Sequence, residues 1–499
     1  MPPRSHSPFR LAIDLGAGSG RAILGRLSES GVLLKEVHRF HYPPRQLAGH
    51  LRWQFGALLD GIREAIRCAQ SAAATLGGSI ESMGVDSWGV DYGLLDASGC
   101  LVEDPICYRD ARTAGLVEEV CRSISRNELF ARTGIQFLPL NTLYQLVAHV
   151  REGLPDRAAQ LLLVPDLCHH ALCGSRVSER TNASTTQLLR VGDGRWDSVL
   201  FERLGLPFEI MPDIVPAGTE LGTLSPQHQR ETGVGQLRVI APATHDTASA
   251  IAGTPLSAGW AYISSGTWSL VGVERETPLV DSAAARANFT NEAGASGTVC
   301  FLKNVMGLWI LEACRREWEA AGVSYDLATV LERVGTIRDV AALVFPDHPR
   351  FFNPPGMIAE LRRHLVETKQ PAPEDPVVLT KIVLDSLAFR YASVIAAIEN
   401  LTGRQVPGIH IVGGGAQNQY LNQATADATG RPVTAGPVEA TAMGNLVVQA
   451  IADGDVPTLA AARHLFERAA PLPSFVPRPS AEWIAAARRY EDIEGQYAA

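Results

Sequence analysis

Short runs of apolar residues alternate along the chain with stretches in which apolar residues recur every three or four positions. The runs predict strands and the periodic stretches predict helices, so the chain is expected to be an α/β protein. The predicted strands are Phe9–Asp14, Ala22–Arg26, Ile80–Leu95, Leu237–Ala243, Trp260–Ile263, Trp268–Val273 and Ile409–Val412. The predicted helices are Leu51–Leu76, Thr113–Ile124, Leu140–Arg151, Leu161–Cys173, Ala248–Gly253, Met306–Gly322, Leu379–Leu401 and Ala416–Thr429, and the stretch Leu206–Gly235 is expected to be irregular.

Polar turns rich in glycine follow three of the predicted strands. Asp14 leads into the turn 16–20, and the turns 264–267 and 413–415 lie in the second half of the chain. Glycine lets backbone N–H groups approach an anion without side chains in the way, and a carboxylate such as Asp14 can hold the Mg²⁺ that accompanies a nucleotide. The turns indicate a phosphate ligand, although each is also typical of a tight connection. Because both halves open with a strand, a glycine turn and a strand, the pattern predicts an internal duplication.

Asp246 is the candidate catalytic group, since it lies between His245 and Thr247 at a predicted junction of strand and helix. A carboxylate there can accept the proton of a substrate hydroxyl during phosphoryl transfer, or it can cap the helix that follows. His245 alone is more typical of a structural hydrogen bond. Asp86 and Asp91 either line a polar pocket or lie on a solvated strand edge.

The composition narrows the class of protein. A chain of 499 residues is long enough for two large or three average domains, and 46% hydrophobic with 19% charged residues fits a compact enzyme. The net charge of −9, without a basic tract, disfavours nucleic acid or an anionic membrane as partner. No signal peptide, no membrane-spanning run and no C-x-x-C pair among the eight cysteines is recognisable. A cytoplasmic protein with reduced thiols is therefore expected.

Several nucleotide-binding and hydrolase signatures are missing from the sequence. It contains no G-x-x-x-x-G-K-[ST], no H-R-D or D-F-G, and no G-x-S-x-G. These absences disfavour a P-loop enzyme, a protein kinase and an α/β-hydrolase.

With these residues in place, the chain resembles the FGGY family of sugar kinases from about Leu11 to Ala450. The opening motif is DLGAGSGR at 14–21. The runs that continue the resemblance are VDSWGVDYGLLD at 85–96, YRDART at 108–113, RTGIQFLPLNTLYQL at 132–146, TNASTTQL at 181–188, THDTASA at 244–250, SSGTWSL at 264–270, FLKNVMGLW at 301–309 and HIVGGGAQN at 410–418. The glycine loop is typical of the whole superfamily, whereas GIQFLPLNTLYQL and KNVMGLW are typical of the branch that acts on L-rhamnulose.

The resemblance implies a fold and a reaction. The fold is α/β, with two actin-like (ribonuclease H-like) domains and with ATP and sugar in the interdomain cleft. The implied limits are 9–250 for the N-terminal domain, 257–452 for the C-terminal domain on the ATP side, and 453–499 for a C-terminal extension. The implied reaction, a step of L-rhamnose catabolism, joins the γ-phosphoryl group of ATP to O1 of L-rhamnulose with Mg²⁺. ATP and a small sugar are the expected partners, and the oligomeric state is not indicated.

The resemblance also implies roles for individual residues. Asp246 matches the catalytic base, and Asp14 is placed to hold Mg²⁺ through water. The implied ATP contacts are Ala17, Gly18, Ser19, Gly20, Arg21, Thr267, Glu312 and Gly414. The implied sugar contacts are Gly89, His245, Asp246, Thr247 and Asn304. The chain departs from the family pattern at Glu312, where glutamine is common, and at Gly18, where serine or threonine is usual.

Other functions stay open at this point. A kinase of the same family can act on a related ketose such as L-fuculose or xylulose. An actin-like ATPase without a sugar substrate is less favoured, because such chaperone and filament proteins lack a base at the position of Asp246. A sugar-sensing module without activity is disfavoured by the presence of both Asp14 and Asp246.

Overall fold

A computed structural model of the protein describes residues 8–28, 31–469, 471–478 and 480–497. The chain forms two compact units. The first contains 8–255, Glu274–Phe301 and Glu439–Pro471, and the second contains Leu256–Val273, Leu302–Val438 and 472–497. The domain limits expected from the sequence stay a prediction. Within the described ranges, no helix combines the length and the apolar character needed to cross a membrane.

The elements are numbered in chain order. The strands are β1 (Phe9–Leu15), β2 (Ser19–Ser28), β3 (Gly31–His41), β4 (Arg45–Leu47), β5 (His50–Arg52), β6 (Ile80–Ser87), β7 (Tyr92–Leu95), β8 (Gln160–Leu163), β9 (Ser178–Glu179), β10 (Ile214–Val215), β11 (Glu220–Thr223), β12 (Arg238–Ile240), β13 (Ala261–Ser265), β14 (Trp268–Arg275), β15 (Thr290–Ala293), β16 (Val299–Met306), β17 (Ile409–Val412), β18 (Val433–Ala435) and β19 (Ser474–Phe475). The helices are α1 (Phe55–Thr75), α2 (Leu116–Ser123), α3 (Arg126–Thr133), α4 (Thr142–Gly153), α5 (Val164–Cys173), α6 (Arg180–Ser184), α7 (Ser198–Leu204), α8 (Pro226–Thr232), α9 (Asp246–Ala252), α10 (Ser282–Arg286), α11 (Trp309–Ala320), α12 (Leu327–Thr336), α13 (Met357–Glu367), α14 (Pro376–Thr402), α15 (Gln419–Thr429), α16 (Ala440–Ala452), α17 (Leu459–Ala469) and α18 (Ala481–Tyr497).

The first unit is built on a six-stranded sheet in the order β11-β12-β6-β1-β2-β3. The central strand β1 is buried along its whole length and pairs parallel with β6 and antiparallel with β2. A strand that is buried on both faces contains consecutive apolar residues rather than an alternation, as Leu11–Ile13 does. The buried Arg10 in the same strand is paired with Asp453 at 2.7 Å.

Helices α9 and α16 of the first unit approach each other backbone to backbone. A Cβ atom at Gly444 would lie 1.8 Å from the carbonyl oxygen of Ser249. A Cβ atom at Gly253, directly after α9, would lie 1.9 Å from the carbonyl oxygen of Ala440. Only glycine fits at these two positions, because the neighbouring atoms belong to the backbone and cannot rotate away.

The second unit contains a sheet whose strands include, in order, β16-β14-β13-β17-β18-β19. Strand β13 pairs antiparallel with β14 and parallel with β17. This repeats the arrangement of β1 with β2 and β6 in the first unit, as the internal duplication predicts. The C-terminal helix α18 packs in a core cluster of this unit formed by Val340, Leu343, Phe345, Phe389, Ala486, Tyr490 and Ile493.

Three sequence-based assignments are wrong in detail. The strand predicted at Ile80–Leu95 is two strands, β6 and β7, which lie in different sheets and are separated by a bend where Val90 has φ 71°. The helix predicted at Leu161–Cys173 begins only at Val164, since Gln160–Leu163 forms β8. The stretch 206–235, expected to be irregular, contains β10, β11 and α8.

Candidate active site

Three carboxylates converge where strands of the first unit end. The parallel register of β1 and β6 places Asp14 beside Asp86. A backbone bridge between Ser87 and His245 brings the start of α9, and with it Asp246, to the same end of the sheet. Burial, reinforced by the negative charge of Asp14, raises the pKa of Asp246 to about 7 and holds the pKa of Asp86 well above its usual range. A raised carboxyl pKa of this origin is typical of catalytic sites.

The position of Asp246 excludes the helix-cap interpretation. His245 is the N-cap residue of α9, and no side chain caps the helix there. Asp246 is the first residue of the helix, and its Oδ1 accepts a hydrogen bond from Thr247 Oγ1 at 3.1 Å. Since 33% of its side chain is exposed, the carboxylate is open to a ligand.

The imidazole of His245 lies beside Asp246. Its Nε2 is 3.5 Å from Asp246 Oδ1, and its Nδ1 is 3.4 Å from Glu292 Oε2. Burial lowers the pKa of His245 to about 4, so the ring is neutral at physiological pH. The backbone N–H of His245 donates to Thr181 Oγ1 at 3.1 Å, which fixes the start of the helix.

Glu179 organises the loop before α9. Its Oε2 accepts hydrogen bonds from both the backbone N–H and the hydroxyl of Thr244, each at 2.9 Å. Its Oε1 accepts from the backbone N–H of Thr181 at 2.9 Å. This buried carboxylate therefore joins the segment 179–181 to the residue that precedes His245, a role that the sequence did not reveal.

The turn between β1 and β2 is shaped by Tyr42. The hydroxyl of this fully buried residue shares its one proton between the carbonyl oxygens of Gly16 at 2.7 Å and Ser19 at 3.0 Å. Its backbone N–H donates to the carbonyl oxygen of Gly18 at 3.0 Å, and Gly18 has φ 124°. Tyr42 therefore binds the carbonyl oxygens of the turn, which would repel a phosphate, while the turn itself stays accessible to a ligand.

Arg21 lies between two carboxylates of the first unit. Its Nε and a terminal nitrogen contact Asp14 Oδ2 at 2.8 and 2.7 Å, and its other terminal nitrogen contacts Glu439 Oε2 at 2.8 Å. These charges raise the pKa of Arg21 against the effect of burial. Asp14 is therefore held at one oxygen by Arg21, and Glu439 is a further residue of this cluster that the sequence did not single out.

Asp91 fixes the segment that carries Gly89 through its hydrogen bonds. This buried carboxylate accepts four hydrogen bonds, and burial raises its pKa to about 6. The donors are the side chains of Trp53, Trp88 and Gln145 and the backbone N–H of Tyr108. Gly89 itself lies close to Thr185, because a Cβ atom at Gly89 would lie 2.8 Å from Thr185 Oγ1. Asp86 and Asp91 are both buried, so the solvated strand edge is excluded.

In the second unit, the turn of Thr267 is bound to the start of α11. The backbone N–H groups of Gly307 and Trp309 each donate to the carbonyl oxygen of Thr267 at 3.2 Å. The backbone N–H of Leu308 donates to that of Gly266 at 2.9 Å. The turn 264–267 and the helix that carries Glu312 therefore form one framework.

The turn 413–415 packs against the same framework. Cβ atoms at Gly413 and Gly415 would lie 2.9 Å from the carbonyl oxygen and 2.0 Å from Oγ of Ser265. A Cβ atom at Gly414 would meet nothing within 4 Å, and this residue is exposed. The close approach explains the two outer glycines, and the middle one presents bare backbone on the open side.

Asn304 lies on β16, whose end is anchored by Asp347. The backbone N–H of Met306 donates to Asp347 Oδ1, and Arg390 Nε donates to Asp347 Oδ2, each at 2.8 Å. Asn304 is half-buried beside this anchor.

Glu312 is engaged on the surface of α11. Its two oxygens accept from Arg315 at 2.8 and 2.7 Å, and 47% of its side chain is exposed. Arg315 also pairs with Glu319 one turn further along. The negative charge that distinguishes Glu312 from glutamine is thus balanced by a neighbouring cation.

The described part of the chain contains no cluster of three or more histidine, cysteine or acidic residues that could hold a metal ion. Asp14 supplies carboxylate oxygen, the ligand type that Mg²⁺ prefers. It fits a Mg²⁺ that arrives with a nucleotide and retains most of its water.

Comparison with known proteins shows that both halves of the chain match domains of one protein family. Residues 9–253 match the N-terminal domain, and 261–452 the C-terminal domain, of the FGGY family of carbohydrate kinases. A relative described as rhamnulokinase from Pectobacterium carotovorum subsp. carotovorum is 42% identical over 488 residues, 97% of this chain and 96% of that protein. One so described from Bacteroides thetaiotaomicron is 40% identical over 479 residues, 95% of this chain and 97% of that protein.

Solved structures match in fold. The gluconate kinase from Lactobacillus acidophilus superposes with a TM-score of 0.80 at 15% identity, covering 99% of both chains. The ligand-bound xylulose kinase from the same organism superposes with a TM-score of 0.79 at 16% identity, again covering 99% of both chains.

Proposed function

The chain belongs to the FGGY family of carbohydrate kinases, and on that premise we propose that it transfers the γ-phosphoryl group of ATP to O1 of L-rhamnulose. The products are L-rhamnulose 1-phosphate and ADP. The α/β fold with two actin-like, ribonuclease H-like domains, expected from the sequence, is confirmed by the solved kinases of similar structure.

One observation carries the choice of sugar. The relatives that are about 40% identical over nearly the whole of both chains are described as rhamnulokinases. The kinases described as acting on gluconate or xylulose share only 15–16% of residues with this chain, so they support the fold and not the substrate. L-Fuculose and xylulose remain the alternative substrates.

Asp246 is the residue we assign as general base. As O1 of the sugar bonds to the γ-phosphorus, its proton passes to the carboxylate of Asp246, and the bond from phosphorus to the bridging oxygen breaks to release ADP. In a loose transition state the attacking hydroxyl loses little of its proton before the phosphoryl group moves, so the position of Asp246 matters more than its basicity. The contact from Thr247 fixes that position.

Neighbouring residues of the first unit bind the two substrates in this proposal. Gly89, His245 and Thr247 contact the sugar. The turn 17–21 offers backbone N–H groups and the Arg21 guanidinium to the phosphates. Asp14 would hold water of the Mg²⁺ that accompanies ATP, and that metal would neutralise negative charge on the phosphates.

In the second unit, we assign Thr267, Glu312 and Gly414 to the nucleotide and Asn304 to the sugar. The exposed backbone of Gly414 suits contact with a flat nucleoside. The Glu312 carboxylate suits the two hydroxyls of a ribose, which donate hydrogen bonds that a carboxylate accepts.

A panel of ketoses tests the proposed function. With Mg²⁺ and ATP, the release of ADP is expected to depend on the sugar, and kcat/KM is expected to be highest for L-rhamnulose among L-rhamnulose, L-fuculose and xylulose. A higher kcat/KM for another ketose would reassign the substrate. Turnover of ATP that is indifferent to every sugar would point to an ATPase of the same fold.

Replacing Glu312 by glutamine tests its contact with the nucleotide. If the carboxylate binds the ribose, Glu312→Gln weakens ATP binding by about 3- to 10-fold, because a hydrogen bond to a charged group is about 1 kcal/mol stronger than one to a neutral amide. The wild-type protein is then expected to lose more affinity with 2′-deoxy-ATP than the variant does. Glu319→Gln is the matched control, since it removes the other carboxylate bound to Arg315. Tighter ATP binding by Glu312→Gln, with equal losses for the deoxy analogue, would contradict the contact.

A further inference from the structure

The segment Glu274–Phe301 belongs to the first unit and brings a second carboxylate to His245. Glu292 lies on β15, between two residues that are fixed by hydrogen bonds. The backbone N–H and the side-chain amide of Asn291 both donate to the carbonyl oxygen of Gly134, at 2.8 and 3.0 Å. The backbone N–H of Ala293 donates to Ser184 Oγ at 2.9 Å. The backbone of Glu292 is therefore held in place from both sides.

The side chain of Glu292 faces the imidazole. Its Oε2 lies 3.4 Å from Nδ1 of His245, and the two residues are 5% and 7% exposed. On the other side of the ring, Nε2 lies 3.5 Å from Oδ1 of Asp246. The imidazole is thus placed between two carboxylates, and only the one at Asp246 is open to a ligand.

A neutral imidazole carries one proton, and its neighbours decide which nitrogen holds it. An ionised carboxylate accepts hydrogen bonds and donates none. The Asp246 oxygen that lies at Nε2 already accepts a hydrogen bond from Thr247 Oγ1. The carboxylate at Nδ1 therefore favours the tautomer with hydrogen on Nδ1, which leaves Nε2 as an acceptor. A hydroxyl that lies beside Asp246 can then donate to Nε2, whereas a carbonyl oxygen cannot bond there.

We propose that Glu292 is a positioning residue that keeps the proton of His245 on Nδ1, so that Nε2 accepts a hydrogen bond from a sugar hydroxyl beside Asp246. The proposal rests on the assigned kinase activity. It limits the chemistry of the substrate, because the group that meets Nε2 must be a hydroxyl donor. Neither the family-like motifs nor the spacing in the sequence pointed to Glu292.

The tautomer is measured directly in the free protein. In ¹⁵N-histidine-labelled protein, two-bond ¹H–¹⁵N spectra distinguish a protonated from an unprotonated ring nitrogen, and His245→Asn identifies the signals that belong to His245. The wild-type protein is expected to show hydrogen on Nδ1 of His245. Glu292→Gln is expected to lose this preference, since an amide can donate to Nδ1 as well as accept from it.

Kinetics provide the second measurement. Glu292→Gln is expected to lower kcat/KM for the sugar by about 10- to 100-fold, by analogy with residues that orient a metal-binding histidine, with the KM for ATP unchanged. Glu274→Gln is the matched control. It removes a carboxylate from the same segment that pairs with Arg463 at 2.8 Å, and it is expected to change neither the tautomer nor the sugar kinetics.

Each outcome decides the proposal. Hydrogen on Nε2 in the wild-type protein overturns it, even if Glu292→Gln fails to fold. A tautomer that is the same in wild type and Glu292→Gln overturns it, as does an unchanged kcat/KM for the sugar. Failure of this proposal can be distinguished from failure of the assigned kinase activity. The tautomer of the wild-type protein is measured without substrate, and the ketose panel is measured without the Glu292→Gln variant.

Discussion

Replacing Asp246 by asparagine is expected to lower kcat by about 10²- to 10⁴-fold, the contribution of a positioned general base. Asparagine has the same shape and can still accept the hydrogen bond from Thr247, so the fold is expected to stay intact. It cannot accept the proton of the sugar hydroxyl. Two measurements test this prediction. The kcat obtained from ADP release is expected to fall in the variant, whereas its Kd for ATP is expected to equal that of the wild type.

The pH dependence of the wild-type protein provides a check on the same residue. Burial and the charge of Asp14 raise the pKa of Asp246 to about 7. A base works only when it is ionised, so kcat/KM is expected to fall as the pH drops below about 7 and to level off above it. Asp246→Asn is expected to lose this acid limb. Near-normal kcat in the folded variant would leave Asp246 with a structural role only.

The largest effect on stability is expected from Gly444→Ala. The added methyl group would meet the carbonyl oxygen of Ser249 at 1.8 Å, and the helices must separate to admit it. Overpacking typically costs about 1–3 kcal/mol, and the upper end, about 3 kcal/mol, is expected here because the obstructing atom belongs to the backbone and cannot rotate away. Since α9 begins with Asp246, the displacement is also expected to lower kcat in the fraction that remains folded.

Gly56→Ala is the matched control for this substitution. Gly56 lies in α1 of the same unit, and a Cβ atom there would meet nothing within 4 Å. Alanine is expected to leave the stability unchanged or to raise it by up to about 1 kcal/mol, because it is the better helix former. Denaturant unfolding of both variants measures the difference. Equal unfolding midpoints for Gly444→Ala and Gly56→Ala would show that α9 and α16 can separate without loss of stability.

The sequence predicted the elements whose signal is local. Strand β1, the turn after it and Asp246 at a junction all follow from runs of neighbouring residues. The boundary at Val164 was missed because Leu161–Leu163 is apolar throughout, and a short apolar run fits a strand or a buried helix equally well. The break inside 80–95 was missed because it depends on the unusual φ of Val90.

The supporting residues of the candidate site could not be predicted in the same way. Glu179 and Glu292 act on Thr244 and His245 across long stretches of chain, and neither belongs to a local pattern. A glutamate in a sequence is normally predicted to lie on the surface, because acidic side chains are mostly exposed in folded proteins. Only the fold shows that these two are buried beside the start of α9.

The part that Glu439–Pro471 plays in the first unit has a consequence for how the protein is made. Helix α16 packs against Ala12 and Ile23 in a core cluster, and Gln449 donates to the carbonyl oxygen of Leu11, 438 residues earlier. At about 5–20 residues per second, a ribosome needs about 20–90 s to join these two ends. Throughout that time β1 lacks the cover that α16 provides. The first unit is therefore completed only after α16 has been synthesised, long after its central strand.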